Sequence, residues 1–565
     1  MIVAMDKWTV ARTLDEIAQY IELSDPNPFR ARAFEKAARK IETLDTDLED
    51  LVARGELSSV SGIGKATGAI IEEIVNSGRS RYLEELREQY PAGIFDLLRV
   101  PALGLKKIGI LFSELGVSDL ETLEQAAQEG RVAKLKGFGA KTQQKILEGI
   151  EVARNRTSKH LLTLGLHTGE TLREQLASID AIEDAEVTGS VRRRLEVVQN
   201  VNVAVAARDP KKAIAAIKKR KVIDAIEELD ENTLRGTGRE DVVVYIHIVT
   251  PENFGSCVLV TTGSREFVEA FLAQGKLMKA RNEHELFEKN GIAFVEPELR
   301  EDAAPLKKKK RVALIQPTDL RGTFHIHTTY SDGRHSVLQM LEEARERGFE
   351  YAGLSDHSQA AFYARGLKPD DLKRQHAEID RASEEVAPLR VFRGTEADIL
   401  NDGAIDYGAK ILSKFDFVIA SIHSRFGMDK GEMTERILTA LDDPFVTFLG
   451  HATGRKLLVR DGYTFEFDKI FDRCAERGVM IEINGNPYRL DLDWRHVRRA
   501  IDRGVAFSIH PDAHSTREMS HVISGTWVAR KAGLTAKQIF NTKPVEEVAK
   551  YLAARRKRAV RAAAG

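Results

Sequence analysis

The chain has 565 residues, enough for about four domains, and its content of 42% hydrophobic and 30% charged residues excludes a mostly disordered chain. No run of about 18 apolar residues occurs, which excludes a transmembrane helix. The two cysteines exclude a disulfide framework or a cysteine-based zinc site. The net charge of −1 gives no argument about nucleic acid, so local patches have to decide that question. Because the N-terminal segment carries acids early and lacks a signal-peptide core, we expect a cytoplasmic protein without a membrane partner.

Three segments in the mainly helical N-terminal region share one pattern. They read SSVSGIGKATGAIIEEI, RVPALGLKKIGILFSEL and KLKGFGAKTQQKIL, each with a glycine turn between helical stretches. Such turns let backbone N–H groups face a phosphate at a helix N-terminus, or they simply join packed helices. With the lysines that follow, the pattern resembles the helix-hairpin-helix motif, which binds the DNA backbone without reading sequence. The residues predicted to contact DNA are Gly62, Gly64, Lys65, Gly104, Lys106, Lys107, Gly137, Gly139 and Lys141.

The next segment of interest, residues 188–205, reads TGSVRRRLEVVQNVNVAV. With the hairpins and the stretch NPFRARAFEKA, it resembles a bacterial family X DNA polymerase, in which Gly-Ser-X-Arg-Arg precedes a strand with an Asp-X-Asp pair. The resemblance implies an α+β palm, and it makes Gly189, Ser190 and Arg193 weak candidates for binding a nucleotide. At the three positions where that family carries catalytic carboxylates, this chain has Asn200, Asn202 and Tyr245.

These three replacements remove the negative charge that assembles a two-metal polymerase site. Clustered carboxylates hold hard cations about 4 Å apart, whereas asparagine offers a neutral carbonyl and tyrosine a protonated phenol. We therefore expect little or no polymerase activity and a palm that serves for DNA binding or as a spacer. The charged stretch AAPLKKKKR then predicts an exposed basic linker.

After the linker, seven short apolar runs alternate with helical stretches, the pattern of a β/α barrel. The runs are GTFHIHT, YAGLSDH, RVFRGTEADI, DFVIASIH, VTFLGHA, VMIEIN and VAFSIHPDAH. Nearly all end in His, Asp or Glu, and the C-terminal ends of barrel strands meet at one face. A single such histidine would be an ordinary core residue, but the repetition predicts a metal centre.

The predicted metal ligands are nine nitrogen- or oxygen-bearing side chains: His325, His327, Asp332, His357, Glu396, His423, His451, Asp512 and His514. His325 with His327, and Asp512 with His514, are expected to alternate along strands and so to share a face. This set suits two or three divalent ions, Mn²⁺ or Zn²⁺, with Mg²⁺ as a further option. Arg425 and Arg455 lie just beyond ligand-bearing strands and are candidates either for binding phosphate or for surface ion pairs.

The order of these motifs resembles a PHP (polymerase and histidinol phosphatase) domain, a distorted (βα)₇ barrel that binds three metals. The resemblance implies three ion sites formed by His325, His327, Glu396 and Asp512; by Glu396, His423 and His451; and by Asp332, His357 and His514. It also implies His325, His327, Glu396 and Asp512 as catalytic residues. Clustered cations make water a better nucleophile near neutral pH and neutralise charge on a phosphoryl group, so we expect phosphoester hydrolysis.

The sequence thus predicts a multidomain α/β chain with a helical hairpin region, a degenerate palm and a barrel. The predicted domains are 1–90 with the first hairpin, 91–155 with two more, the palm and short thumb at 156–302, the linker at 303–319 and the PHP domain at 320–565. The leading functional hypothesis is a monomeric, bacterial, nucleoid-associated 3′–5′ exonuclease of base excision repair, acting on DNA 3′ ends or gaps. The alternatives are a gap-filling polymerase with exonuclease activity, a PHP-type phosphomonoesterase and a non-enzymatic DNA-binding protein.

Overall fold

The computed structural model describes residues 7–24, 28–42, 48–60, 62–91, 93–100, 103–157, 159–238 and 241–564. The chain divides into two compact units, Met1–Ser158 and Lys159–Gly565. Among the described residues, every helix is too short or too polar to cross a membrane.

The first unit is helical. Its described helices are α1 (Lys7–Ser24), α2 (Pro28–Glu42), α3 (Leu48–Ala53), α4 (Lys65–Ser77), α5 (Arg81–Glu88), α6 (Leu105–Leu115), α7 (Leu120–Gln128) and α8 (Gly139–Thr157). Helices α1 and α2 pack along most of their length, and Val10, Leu14 and Ile17 are fully buried in the core of this unit. Burying these side chains stabilises the unit by roughly 1.5–3 kcal/mol each.

Helices α4, α6 and α8 each begin after the same small structure. A short 3₁₀ turn precedes each of them: Leu57–Ser59, Ile94–Arg99 and Val132–Lys134. In every copy two i→i+3 backbone hydrogen bonds follow one another. The residue whose N–H donates the second bond is hydrophobic and buried, namely Ile63, Leu103 and Phe138. The repeat seen in the sequence is therefore a repeat of backbone conformation as well.

The second unit begins with a five-stranded mixed sheet. Its strands, β2 (Asp184–Thr188), β4 (Asn200–Ala206), β5 (Asp224–Asp230), β6 (Thr233–Thr237) and β7 (Val243–Val249), lie in the order β2-β4-β7-β6-β5. A separate antiparallel pair joins β1 (His160–Leu161) to β3 (Val197–Val198). The described helices of this region are α9 (Leu162–Ala177), α10 (Gly189–Arg192), α11 (Pro210–Arg220), α12 (Phe254–Thr262), α13 (Arg265–Leu272) and α14 (Glu283–Lys289). A Cβ at Gly169 of α9 would lie 3.0 Å from Val187, so glycine there permits close packing on the sheet.

The rest of the unit is a seven-stranded parallel barrel. Its strands are β8 (Gly322–Ile326), β9 (Tyr351–Leu354), β10 (Arg390–Asp398), β11 (Phe417–Ser421), β12 (Phe448–Leu449), β13 (Met480–Asn484) and β14 (Phe507–His510), paired in chain order. Two hydrogen bonds nearly close it between the ends of β8 and β14: His327 N–H donates to the Ala513 carbonyl (2.9 Å), and Ala513 N–H to that of His325 (3.1 Å). The seven predicted strands are all present.

Helices follow the strands around the barrel. They are α15 (Val337–Glu346), α16 (Pro369–Glu385), α17 (Ala409–Leu412), α18 (Lys430–Asp442), α19 (Phe467–Arg477), α20 (Trp494–Ile501), α21 (His521–Ala532) and α22 (Val545–Ala564). An aromatic cluster fills the N-terminal part of the barrel, where the ring centroid of Phe324 lies 4.9 Å from Phe417 and 5.2 Å from Phe448. This packed base leaves the C-terminal ends of the strands as the polar face.

The predicted basic linker is only partly exposed. Lys307–Arg311 faces solvent, as expected, but Leu306 and Ile315 on either side are buried, and Ile315 N–H donates to the Leu534 carbonyl (3.0 Å). The segment therefore packs along the barrel, because buried apolar residues lie on both sides of the charged run.

Candidate metal centre

All nine predicted ligands lie at the C-terminal face of the barrel. The Glu396 carboxylate is central: its Oε1 lies 3.3 Å from His325 Nε2, 3.3 Å from His423 Nε2 and 2.9 Å from His451 Nε2. Asp512 Oδ1 lies 3.5 Å from both His325 Nε2 and His327 Nε2.

The third predicted group adjoins the first two. Asp332 lies 3.6 Å from His357 Nε2 through Oδ1 and 3.4 Å from His514 Nε2 through Oδ2. His357 Nδ1 also lies 2.9 Å from Glu396 Oε2, so the three groups share neighbours. Within four overlapping sets of these side chains, ligand atoms lie within 4.8 Å of one another, which suits a multinuclear site. Which ion each residue would hold stays a prediction.

The ligands reach the site differently from the simple strand alternation that the sequence suggested. Strand β8 ends at Ile326 and β14 at His510, so His327, Asp512 and His514 lie beyond the strands. His325, Asp512 and His451 have φ values of +63°, +53° and +22°, in the left-handed region. Such non-glycine conformations cost about 1–3 kcal/mol each and cluster at functional sites.

The side chains fit bound cations on their own evidence. In the described part of the chain, both ring nitrogens of His327 and His451 Nδ1 are buried without a hydrogen-bond partner. His325 Nε2 and His357 Nδ1 are also buried, and the carboxylate oxygens near them are not oriented for a hydrogen bond. Buried imidazole nitrogens normally find such a partner, and a divalent cation would satisfy them. The residues present therefore fit two or three divalent ions.

The electrostatics of the site also favour cations. Burial would raise the pKa of the Glu396 carboxyl, yet the imidazoles of His357, His325 and His423 hold that pKa well below its ordinary value. Burial would also raise the pKa of the Asp512 carboxyl, but the imidazole of His325 is the largest of the effects that hold that pKa well below its ordinary value. Two ionised carboxylates thus stand buried among imidazoles.

Two further carboxylates orient the imidazoles. Glu482 Oε2 lies 2.9 Å from His325 Nδ1, and Asp398 Oδ1 lies 2.8 Å from His423 Nδ1, so that Nε2 of each histidine is turned toward Glu396. Such partners fix the tautomer and orientation of metal-binding histidines. Glu482 was missed in the sequence, although a lone acid within the apolar strand VMIEIN was a usable signal. Asn484, on the same strand, donates to Glu482 (2.7 Å) and Asp512 (3.1 Å).

A cavity of about 520 Å³ opens onto the ligands. Two cationic side chains line it, Lys456 and Arg489, and Arg489 Nε lies 3.5 Å from Asp512 Oδ2. Tyr363, Val459 and Tyr488 also line it and are 56%, 71% and 62% exposed. The cavity therefore combines a cationic interior with an apolar, partly aromatic rim.

The two arginines predicted to bind phosphate are not among the residues lining this cavity. Arg425 lies exposed on the loop after His423. Arg455 uses its guanidinium elsewhere: Nη1 donates to Asp493 Oδ2 (2.6 Å), Nε to the Arg489 carbonyl (2.9 Å) and Nη2 to the Leu490 carbonyl. Arg455 therefore supports the loop that carries Arg489 and Leu490. Its position after a strand suggested phosphate binding, but its guanidinium is already occupied by this loop and by Asp493.

The palm positions form a hydrogen-bonded group without carboxylates. Asn202 Nδ2 donates to Asn200 Oδ1 (2.7 Å), and Asn202 Oδ1 lies 3.0 Å from His247 Nε2. Tyr245 is the register partner of Asn202 across the parallel pair β4–β7. Neutral amides that satisfy each other have little affinity for Mg²⁺, which prefers carboxylates and water.

The nucleotide-binding candidates of the palm are partly committed to other contacts. Arg193 donates through Nε to Glu301 (2.9 Å) and through Nη1 to the Thr262 carbonyl (2.7 Å). Gly189 has φ +70°, and a Cβ there would meet the Asn202 amide nitrogen at 2.9 Å. Ser190 is half-buried on α10. The contacts of Arg193 argue against a triphosphate at this position.

The hairpin residues lie where the repeat predicts. Gly64 and Gly104 are the N-caps of α4 and α6, and Gly139 begins α8. Gly62, Gly137 and Gly139 have φ of +104°, +90° and +72°, which favour glycine, whereas the backbone of Gly104 (φ −116°) suits any residue. Lys65, Lys106 and Lys141 are exposed, whereas Lys107 is half-buried with its Nζ 5.9 Å from the Phe138 ring centroid. Their contact with DNA stays a prediction.

Two family models match the chain. A helix-hairpin-helix domain matches residues 5–80, and a PHP domain matches residues 323–486. The second match contains seven of the nine predicted ligands and ends before Asp512 and His514.

Relatives match either the whole chain or the barrel. The DNA polymerase/3′-5′ exonuclease PolX of Bacillus subtilis is 32% identical over 570 aligned residues, covering 97% of this chain and 99% of the relative. A probable phosphatase of Caldanaerobacter subterraneus is 24% identical over 272 residues, covering 45% of this chain and 96% of the relative. A probable phosphatase of Thermoanaerobacter sp. is 25% identical over 239 residues, covering 40% and 92%.

Proposed function

Since this chain belongs to the PolX family of DNA polymerase/3′-5′ exonucleases with a PHP domain, we propose that it is a metal-dependent nuclease that degrades DNA from the 3′ end. Its palm binds DNA or serves as a spacer between domains, and it does not polymerise nucleotides. The observation that carries this proposal is the contrast between two sites of one chain: the barrel gathers nine ligand side chains, while the palm replaces its carboxylates with Asn200, Asn202 and Tyr245.

The residues of the barrel have distinct tasks in this proposal. His325, His327, Glu396 and Asp512 would hold one divalent ion, and the remaining ligands would hold the others. Ions bound there would polarise a phosphoryl group and supply a nucleophile from water near neutral pH. Lys456 and Arg489 bind phosphate oxygens from the cavity side, in place of the two arginines suggested by sequence.

The finer features of the proposal concern metal, substrate and setting. Mn²⁺ or Zn²⁺ is the expected metal, because imidazole and carboxylate ligands together suit both. The substrate is a DNA 3′ end or gap, held along its backbone by Gly62, Gly64, Lys65 and the equivalent residues of the other hairpins. We place the protein as a monomer in bacterial base excision repair, in the cytoplasm at the nucleoid.

The experiment follows a 5′-labelled single strand with Mn²⁺, using wild-type protein and a His325→Ala/His327→Ala variant. Stepwise shortening that the variant loses by at least 100-fold is the expected result. In parallel, release of phosphate from 4-nitrophenyl phosphate measures phosphomonoesterase activity. Rapid release of phosphate without shortening would refute the nuclease and favour the second candidate, a phosphomonoesterase, which the match of the barrel to probable phosphatases supports. A shortening activity that survives in the variant would place the chemistry outside the barrel.

A further inference from the structure

A chain of ion pairs links the degenerate palm to the loop that carries Arg489. It starts at Glu196, which follows the Arg192–Arg194 segment of the palm and whose side chain is 15% exposed. Its Oε1 accepts from Arg495 Nη1 at 2.8 Å, and Arg495 lies on α20 of the barrel. The contact joins residues 299 positions apart in the sequence, so it forms only when palm and barrel are packed together.

The chain continues from α20 into the barrel. Arg495 Nη1 also donates to Asp493 at 2.9 Å, and the N–H of Arg495 donates to Asp493 Oδ1 at 2.8 Å. Asp493 in turn accepts from Arg455 Nη1 at 2.6 Å. Although burial acts against it, the two arginines lower the pKa of the Asp493 carboxyl to about 2, so the carboxylate stays ionised between two cations.

Arg455 ends the chain at the backbone of the loop between β13 and α20. It donates to the carbonyls of Arg489 and Leu490, the first at 2.9 Å. The Arg489 side chain points into the metal-site cavity, and Asn486 and Tyr488 of the same loop line it too. The Arg455 guanidinium thus fixes the backbone of this loop. Asp493 binds that guanidinium and is linked through Arg495 to Glu196 of the palm.

We propose that Glu196, Arg495, Asp493 and Arg455 are positioning residues through which the degenerate palm holds Arg489 in place for binding the substrate phosphate in the barrel. This inference rests on the proposed phosphodiesterase function. The palm can perform this task without the missing carboxylates, because Glu196 lies outside the group formed by Asn200, Asn202 and His247. Loss of a positioning contact weakens ground-state binding, so it should raise KM more than it lowers kcat.

The test uses full-length, Mn²⁺-loaded protein and bis(4-nitrophenyl) phosphate, a diester too small to reach from the barrel cavity to the palm. Glu196→Gln and Arg495→Met cut the chain at its palm end and at its middle. We expect each to raise KM about threefold to tenfold, with kcat and metal content within twofold of wild type. Arg495→Lys should recover most of the lost affinity, because all the side-chain contacts of Arg495 with Glu196 and Asp493 use the single atom Nη1.

Arg498→Met is the matched control. Arg498 lies one turn further along α20, its guanidinium carbon is 4.7 Å from the Trp494 ring centroid against 4.5 Å for Arg495, and it pairs with Asp302 at 2.8 Å. Among the described residues its guanidinium donates to Asp302 and to the Lys531 carbonyl and not to Asp493, so KM should stay within twofold of wild type. An equal rise in KM for Arg498→Met would reduce the effect to general packing and overturn the proposal, as would unchanged KM in Glu196→Gln and Arg495→Met.

Amide hydrogen exchange gives a second readout that does not need turnover. Residues 485–493 should exchange several-fold faster in Glu196→Gln and Arg495→Met than in wild type and Arg498→Met. If wild-type protein hydrolyses no phosphodiester at all, the proposed function fails, but hydrogen exchange still tests whether the palm holds the loop in place. Equal exchange of residues 485–493 in wild type and all variants would overturn this link between palm and loop.

Discussion

At the scale of single residues, Glu482 orients a predicted ligand of the metal centre without being a predicted ligand itself. It is fully buried and accepts from His325 Nδ1 at 2.9 Å. We expect Glu482→Gln to lower metal affinity about 10- to 100-fold, because the imidazole loses its orienting partner. Isothermal titration with Mn²⁺ measures the change, and excess Mn²⁺ should restore hydrolysis.

Asp406→Asn is the control for that substitution. Asp406 is another buried barrel carboxylate, 5% exposed, but it accepts from the Ala360 N–H (2.7 Å) and from Gln359, not from an imidazole. Its replacement should affect stability and leave the affinity for Mn²⁺ within twofold. A Glu482→Gln protein with wild-type affinity would remove Glu482 from the account.

The two cations of the cavity carry the second prediction at this scale. Lys456→Met and Arg489→Met should each raise KM for a 5′-labelled strand by about tenfold, because a charge-assisted contact to a phosphate oxygen is worth roughly 1.5–3 kcal/mol before solvent exposure weakens it. Arg425→Met, which removes an exposed arginine beyond the cavity, serves as the control. Steady-state kinetics measure KM for each variant. A larger rise in KM for Arg425→Met than for Lys456→Met and Arg489→Met would show that Arg425, as the sequence suggested, contacts the phosphate.

At the scale of elements, the aromatic rim of the cavity carries a prediction about substrate form. Tyr363 and Tyr488 line the cavity, and Phe362, 85% exposed, has its ring centroid 6.1 Å from that of Tyr363. Exposed aromatic side chains stack unpaired bases for about 1–3 kcal/mol each. Tyr488→Ala should therefore weaken binding of single-stranded DNA at least fivefold and leave hydrolysis of bis(4-nitrophenyl) phosphate unchanged.

Fluorescence anisotropy with a labelled single strand measures this effect, with Leu277→Ala as the control. Leu277 is a similarly exposed apolar residue, at 45%, but it lies outside the barrel and its cavity. Equal binding by wild type and Tyr488→Ala would show that the rim does not stack bases.

The elements also show what the sequence could and could not predict. The strands of the barrel were predictable because short apolar runs end in polar residues, and the hairpins because glycine turns repeat. Left-handed φ at His325 and Asp512 was not predictable, since these backbones are imposed by closure of β8 against β14. The contacts of Arg455 and Lys456 depend on how the two loops pack. Their neighbouring positions in sequence gave no means of telling the half-buried arginine, which supports a loop, from the lysine that lines the cavity.

At the scale of the whole molecule, removing metal should destabilise the barrel. Glu396 and Asp512 are ionised and buried among histidines, and cations that bind only the folded state stabilise it by about 4 kcal/mol at 1,000 times their Kd. Dialysis against EDTA should lower the Tm measured by calorimetry by several degrees, and Mn²⁺ should restore it. The His325→Ala/His327→Ala protein should respond at most half as strongly, and an equal response would place the stabilising metal elsewhere.

The central claim is that the barrel, and not the palm, carries the chemistry of this chain. The most direct measurement follows a 5′-labelled primer on a gapped template with Mn²⁺ and all four nucleotides, in wild-type protein and in the His325→Ala/His327→Ala variant. We predict that wild-type protein shortens the primer, that the variant leaves it intact, and that neither lengthens it, because Asn200, Asn202 and Tyr245 supply no carboxylate for metal. Lengthening of the primer by the variant would contradict the account, since it would show a working polymerase site in the palm.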